Sequence, residues 1–289
     1  INLSQTSRAV NEAIQFAKQH QQKIICFITG VPGSGKTLAG LNLATSRSNM
    51  DQAEHAVFLS GNGPLVKVLR EALARDVVAK EGIRKTDAVR KVETFIQNIQ
   101  HFRDEALRSE QAPIERVAVF DESQRAWTRE EQSSFMKRKR DVADFAMSEP
   151  EFLLSVMDRH DSWCAVICLV GSGQEINKGE AGIAEWLRAI RGRYKNDWRV
   201  YCPERQALAK EQSDVFIDGL LSEIAPKTNP ALHLGVCIRS FRSEAVSEFV
   251  RVVLSGDCAD ASRIRQTLNR YPIMLTRSLE TARSWLRSQ

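Results

Sequence analysis

The chain has 289 residues, which is enough for one large domain or two of ordinary size. Hydrophobic residues make up 43% of it and charged residues 27%, as is usual for a globular protein. No apolar run approaches the roughly 20 residues that a membrane-spanning helix needs, so the composition argues against a membrane protein. The formal net charge of +5 permits binding to nucleic acid but does not by itself indicate it.

Six cysteines are scattered along the chain, and none forms a C-x-x-C pair. No histidine or second cysteine pair completes a zinc-binding set, so we expect buried, reduced thiols in a cytoplasmic protein. Because the sequence begins with Ile1 rather than Met, we also expect the native chain to begin earlier.

Apolar runs alternate with amphipathic stretches up to Val200, which predicts an α/β fold with a parallel sheet. The runs are short, rich in Val, Ile or Phe, and followed by Gly, Asp or Ser, as is typical of buried parallel strands. The predicted strands are residues 23–29, 55–60, 115–121 and 163–170. The predicted helices include residues 6–19, 65–80 and 87–99.

A connector rich in proline and polar residues occupies positions 225–230. Beyond it the pattern predicts a strand at residues 232–238, a helix at 243–254, a strand at 271–276 and a final helix from Leu279. We interpret this segment as the beginning of a second α/β domain.

Residues 30–37 match the pattern G-x-x-x-x-G-K-[ST] between a predicted strand and a predicted helix. The glycines allow the loop to wrap around phosphate oxygens, and the helix directs its positive N-terminal end at the same anion. We predict that Lys36 contacts the β- and γ-phosphates of ATP and that Thr37 coordinates Mg²⁺. The alternative is a chance glycine turn. The predicted nucleotide-binding residues are Gly30, Pro32, Gly33, Ser34, Gly35, Lys36 and Thr37.

Two acidic residues, Asp121 and Glu122, follow the third predicted strand. Ligands of open α/β sheets bind at the carboxyl ends of the strands, so we expect both residues near the glycine-rich loop. Asp121 is predicted to hold Mg²⁺ through water, and Glu122 to polarise the attacking water. An acidic turn after an apolar strand is the alternative. The side-by-side pair favours hydrolysis over phosphate transfer to a small-molecule substrate.

A glycine-rich segment, residues 171–176, follows the fourth predicted strand and contains Gln174. This residue is predicted to lie at the same edge of the sheet, within reach of the γ-phosphate or the attacking water. A glycine turn that contains a glutamine is common in unrelated proteins, so this segment alone carries little weight.

Together these segments resemble superfamily 1 helicases and, more closely, the Schlafen group 3-like DNA/RNA helicase domain. The resemblance extends through most of the chain, over residues 30–37, 58–65, 121–125, 171–177, 179–182, 238–242 and 275–277. It implies a RecA-like P-loop NTPase with a parallel β-sheet flanked by helices. It also implies ATP hydrolysis with Mg²⁺ and binding of single-stranded DNA or RNA.

The resemblance further implies roles for individual residues around the nucleotide. Gln174 is similar to the glutamine that couples the γ-phosphate to nucleic-acid contacts. Arg239 is similar to the arginine that the second domain supplies to the γ-phosphate, where a guanidinium would neutralise developing charge. Arg242 is the competing candidate, and a surface arginine is the alternative to both. Gln5 is similar to an adenine-reading glutamine, with an exposed polar residue as the alternative.

A turn after the second predicted strand resembles the motif that contacts the nucleic-acid backbone. A plain strand-to-helix turn is the alternative. The predicted nucleic-acid contacts are Ser60, Gly61 and Asn62.

These interpretations predict two domains. Residues 1–225 form a RecA-like ATP-binding domain, and residues 226–289 begin a second, incomplete RecA-like domain that we expect to continue beyond Gln289. Further motifs of such helicases are not found after Arg277. The predicted function is therefore an ATP-hydrolysing DNA or RNA helicase or translocase domain, with an ATP-dependent switch or nucleic-acid sensor that does not unwind as the alternative.

Overall fold

The computed structural model describes residues 2–47, 54–140, 145–171, 182–205, 214–236, 241–268 and 272–288. The chain separates into two compact units, Ile1–Val236 and Cys237–Gln289. Within the described ranges, every helix is too short or too polar to cross a lipid bilayer.

The first unit is built on one eight-stranded sheet in which all pairings are parallel. In chain order the strands are β1 (Lys23–Gly30), β2 (Ala56–Ser60), β3 (Ile96–Asn98), β4 (Val117–Asp121), β5 (Ala165–Gly171), β6 (Trp198–Cys202), β7 (Lys227–Thr228) and β8 (His233–Leu234). Their order in the sheet is β3-β2-β4-β5-β1-β6-β7, and β8 pairs with the end of β1. Because the strands are parallel, all of their carboxyl ends lie at one edge of the sheet.

Helices connect the strands of the first unit. They are α1 (Asn2–His20), α2 (Lys36–Arg47), α3 (Gly63–Glu81), α4 (Lys85–Glu93), α5 (Ile99–Arg108), α6 (Arg129–Arg140), α7 (Glu149–Met157), α8 (Gly182–Ala189) and α9 (Asp214–Ile224). Short turns of other helix types occur at Ser123–Arg125, Ile190–Tyr194 and Pro230–Leu232. The second unit contains α10 (Phe241–Ser255), α11 (Cys258–Thr267) and α12 (Leu279–Ser288).

Each face of the sheet is covered by a separate hydrophobic core. On β1, Ile24 and Ile28 belong to the core that contains residues of α1 and α2, whereas Ile25 and Phe27 belong to the core that contains residues of α7 and α8. Every residue of β1 after Lys23 is buried. This two-sided burial explains why the strands read as continuous apolar runs rather than as alternating patterns. The predicted α/β fold with a parallel sheet is confirmed.

The four predicted strands of the first unit are present with small shifts at their ends, but one predicted helix extends too far. The helix predicted at residues 87–99 ends at Glu93, and the chain then forms β3. Phe95 and Ile96 are buried, and Ile96 pairs with Phe58 of β2. Their apolar side chains serve an edge strand and not the continued face of a helix.

The predictions near the end of the chain also differ from the structure. Of the strand predicted at residues 232–238, the described part that forms a strand is β8, and positions 237 and 238 lie outside the described residues. The strand predicted at 271–276 is wrong, because residues 272–276 have no regular secondary structure. Leu275 is 88% exposed, so this apolar residue has no sheet to pack on within the described ranges.

The division between units lies after Val236 rather than after position 225, where the sequence placed it. The reason is that the predicted connector and the residues directly after it each supply a strand to the first sheet. Lys227 and Thr228 pair with β6, and His233 and Leu234 pair with β1. The interpretation of the second unit as the start of a RecA-like domain stays a prediction.

Candidate functional site

The glycine-rich loop leaves the carboxyl end of β1 and leads directly into α2. Gly33 and Gly35 adopt positive φ values of 77° and 91°, a conformation that residues with a Cβ rarely adopt. A Cβ on Gly30 would lie 2.7 Å from the backbone oxygen of Leu234, so β8 approaches the start of the loop too closely for any other residue. The backbone conformation of the loop therefore depends on glycine at these places.

Lys36 is the first residue of α2, and its ammonium group lies against the loop. Its Nζ donates hydrogen bonds to the carbonyl oxygens of Gly30, at 2.5 Å, and Val31, at 3.3 Å. Pro32 is exposed on the same loop, whereas Ser34 is buried, and its hydroxyl has no hydrogen-bond partner within the described ranges. The loop and the first residue of α2 thus supply an ammonium group and a buried hydroxyl group.

Thr37 and Asp121 meet at the edge of the sheet. The Thr37 hydroxyl donates to Asp121 Oδ1 at 3.1 Å, which joins the start of α2 to the end of β4 across 84 positions of sequence. Asp121 is only 7% exposed, and its Oδ2 has no hydrogen-bond partner among the described residues. Burial, and secondarily the charge of Glu122, raises the pKa of Asp121 to about 6.

This arrangement fits a magnesium ion. A buried carboxylate oxygen without a partner is costly unless a cation or a hydrogen-bond donor compensates for it. Carboxylate and hydroxyl oxygens are the hard ligands that Mg²⁺ prefers, with water and phosphate completing its shell. Asp121 and Thr37 therefore have the chemistry required of residues that hold Mg²⁺ bound to a triphosphate.

Glu122 follows β4 in an unusual backbone conformation. Its φ and ψ are 52° and 44°, in the left-handed region that non-glycine residues seldom occupy. The side chain is 32% exposed, and its Oε2 accepts a hydrogen bond from Gln124 Nε2 at 2.5 Å and lies 3.8 Å from Arg125 Nε. Left-handed residues of this kind concentrate at functional sites, where the surrounding structure holds them in place.

Sequence reasoning assigned no role to Gln124, although it lies within the quoted acidic motif. Its side chain is buried, and its Oε1 accepts a hydrogen bond from the backbone N–H of Gly171 at 2.8 Å. The sequence around Gln124 shows only a glutamine in a polar turn, which does not indicate a role in the site. The partner that gives this residue its significance lies 47 positions away.

The predicted nucleic-acid turn lies beside this site. In the sheet register, Ser60 at the end of β2 is the partner of Asp121. Ser60 is buried and accepts a hydrogen bond from the backbone N–H of Asn62, whereas Gly61 and Asn62 are exposed. Asn62 caps the N-terminus of α3, because its Oδ1 accepts from Leu65 N at 3.2 Å. The turn is thus exposed at the same edge of the sheet as the acidic pair.

Of the remaining predicted residues, the structure describes Gln5 in the first unit and Arg242 in the second. Gln5 is exposed on α1, one position before Thr6, whose hydroxyl donates to the carbonyl of Ala231. Gln174 and Arg239 lie outside the described residues. Arg242 belongs to α10, in the second unit.

Taken together, the parallel sheet, the glycine-rich loop between β1 and α2, and the acidic pair at the end of β4 define an α/β protein of the RecA-like P-loop class. The sequence profile of the family described as "Schlafen group 3, DNA/RNA helicase domain" matches residues 23–289, and the chain belongs to this family. The family identified from the sequence is thereby confirmed. The chain is accordingly a nucleotide-binding, helicase-like domain. No curated protein is similar enough to count as a relative.

Proposed function

We propose that the chain binds ATP with Mg²⁺ and hydrolyses it, as the ATPase domain of a DNA or RNA helicase or translocase. The observation that carries this proposal is the contact between Thr37 and Asp121, 3.1 Å apart, with Asp121 Oδ2 buried and unpartnered among the described residues. A cation bound there would compensate for the carboxylate and neutralise charge on a triphosphate that the loop holds.

Each side chain has one task in this mechanism. Lys36 exchanges its hydrogen bonds to the loop carbonyls for bonds to the β- and γ-phosphate oxygens. Thr37 and Asp121 hold Mg²⁺, which when bound draws electron density from the phosphate oxygens. Glu122 orients a water molecule for attack on the γ-phosphate and accepts its proton.

Glu122→Gln is the sharpest test of this function. We expect the variant to bind MgATP normally but to hydrolyse it about 10²–10⁴-fold more slowly, because the neutral amide does not accept the proton. Lys36→Ala should weaken binding itself. Calorimetry with MgATP and a phosphate-release assay measure the two quantities. Glu110→Gln, at an exposed loop position, is the matched control and should match the wild type.

The outcomes separate the alternatives. Normal hydrolysis by Glu122→Gln would show that Glu122 is not the base, and absence of MgATP binding by the folded wild type would refute the function altogether. Added single-stranded DNA or RNA should raise the turnover of the wild type if the domain belongs to a motor. Slow hydrolysis that no polynucleotide stimulates would instead indicate the nucleotide-dependent switch.

A further inference from the structure

Gln124 uses both ends of its carboxamide, although it is only 1% exposed. Its Nε2 donates to Glu122 Oε2 at 2.5 Å, and its Oε1 accepts from Gly171 N at 2.8 Å. One buried side chain thus connects the acidic pair after β4 to the last residue of β5. From Gly171 the chain continues into the predicted loop that contains Gln174.

The turn that carries Gln124 is held independently of this side chain. The hydroxyl of Ser123 donates to Leu169 O at 3.0 Å, and Trp186 Nε1 donates to Ser123 O at 2.9 Å. These two bonds attach the turn to β5 and to α8. The carboxamide of Gln124 is therefore not required to keep the turn in place, and its contacts act on Glu122 and Gly171.

Glu122 needs such a contact because its side chain is long and partly exposed. Among the described residues, its side chain has two polar contacts, from Gln124 and from Arg125, and both are made to Oε2. Within the described ranges Oε1 makes no hydrogen bond, and in the proposed mechanism this oxygen receives the water molecule. A carboxylate held by one oxygen presents the other in a fixed direction, and pre-orientation of this kind is what an efficient general base requires.

The direction of the carboxamide is fixed by chemistry. The N–H of Gly171 is a donor, so it selects the oxygen of Gln124, and the NH₂ group must then face the carboxylate. A reversed amide would place its oxygen against Glu122 and its NH₂ against the N–H of Gly171, both of which are repulsive. Glutamine is the side chain of this length that satisfies both neighbours at once.

We propose that Gln124 is a positioning residue for ATP hydrolysis, which links the orientation of Glu122 to the backbone at the end of β5. This inference rests on the proposed function of the site. It implies that a shift of the β5 terminus changes the aim of the Glu122 carboxylate through one amide group.

The test is Gln124→Met, which preserves the volume of the side chain and removes both hydrogen bonds. We expect kcat to fall about 10–100-fold, as for other residues that orient a reacting group, while KM for ATP stays within about threefold. Gln132→Met is the matched control, because Gln132 is equally buried on α6 and lies 3.5 Å from Arg103. The control should keep the wild-type kcat whatever its stability.

A double-mutant cycle shows whether Gln124 acts through Glu122. If it does, the variant that combines Gln124→Met with Glu122→Gln should be no slower than Glu122→Gln alone. Multiplicative losses would overturn the inference, as would a wild-type kcat in Gln124→Met. These failures differ from failure of the proposed function, in which the wild type itself does not hydrolyse ATP or Glu122→Gln is as fast as the wild type.

Gln124→Glu keeps the inference testable if the methionine variant does not fold. The glutamate still accepts from Gly171 N but places a second negative charge beside Glu122. We expect a similar fall in kcat at neutral pH, because the second charge repels the Glu122 carboxylate from its hydrogen-bonded orientation. A normal kcat in Gln124→Glu would contradict the role of Gln124.

Discussion

Two turns end neighbouring strands of the same sheet, and they are built in opposite ways. The turn after β2 contains Ser60, Gly61 and Asn62, and the turn after β4 contains Asp121 and Glu122; in the register, Ser60 faces Asp121. In the first turn Gly61 and Asn62 are exposed, and the hydrogen bonds of the turn are made to residues close in sequence. The second is tied to β5 and α8, and it retains a buried oxygen without a partner among the described residues.

The difference shows that a position at the carboxyl edge does not by itself set the chemistry of a turn. Burial raises the pKa of Asp121 and makes its charge costly, and Glu122 adopts a left-handed backbone next to it. Unfavourable features of this kind persist where a bound ligand compensates for them. The turn at Asn62 has no such cost, which suits a surface that contacts a large, exposed ligand.

The largest effect is expected in Asp121→Asn, which removes the negative charge of the buried side chain in the turn after β4. Phosphate release should fall by about 10²-fold or more, because Mg²⁺ loses an anionic ligand. At the same time the nucleotide-free protein should become more stable, by about 1–3 kcal/mol, since a buried, uncompensated charge is removed. Thermal unfolding without metal or nucleotide measures this change.

The control for this prediction is Asp197→Asn, at an exposed position, which should change neither quantity. A less stable Asp121→Asn protein would mean that the Asp121 carboxylate has enough hydrogen-bond partners in the fold. The turns after β2 and β4 would then not differ in this respect.

A smaller effect is expected at the exposed turn, where Asn62→Ala and Asn62→Asp differ. Alanine removes the cap of α3 and should lower the free energy of unfolding by about 1 kcal/mol, whereas aspartate keeps the cap. Both variants should bind a labelled single-stranded oligonucleotide more weakly, the aspartate variant most, because its charge repels the phosphates. Fluorescence anisotropy measures this affinity. Wild-type affinity in Asn62→Asp would exclude contact between this turn and the nucleic-acid backbone.

The smallest effect is expected at the amino ends of the strands, the edge opposite the candidate site. It tests whether stability and turnover depend on pH through different groups. His160 Nε2–H donates to Glu115 O at 3.1 Å, just before β4, and burial of the ring lowers the pKa of His160 from its ordinary value of 6.5. The neutral ring is favoured in the fold, so its stabilising contribution is present above pH 6.5 and is lost as the pH falls below that value.

In His160→Gln the loss of unfolding free energy on acidification should be smaller, by less than about 1 kcal/mol. The pH profile of kcat should not change. Urea unfolding at several pH values measures the first quantity. An equally steep loss of stability in the variant would assign the acid sensitivity to other groups.

Much of the first unit could be predicted because its signals are local. Strands buried on both faces read as short apolar runs, and the loop between β1 and α2 needs glycines at fixed spacings. The glycine-rich motif predicted the place of Thr37 and the end of a predicted strand that of Asp121, and in the structure a hydrogen bond joins the two residues. Their role towards a metal ion stays a prediction, as do the roles of Gln174 and Arg239.

The family and the class of fold were thus determined by the sequence itself, since both depend on motifs and on burial patterns that are written into short segments. Tertiary structure alone decided the rest: that an edge strand begins at Ile96, that residues 227–234 complete the first sheet, and that Gln124 connects Glu122 to Gly171. Strand pairing and hydrogen bonds between distant residues depend on which surfaces come into contact when the chain folds. The local periodicity of the sequence does not specify those contacts.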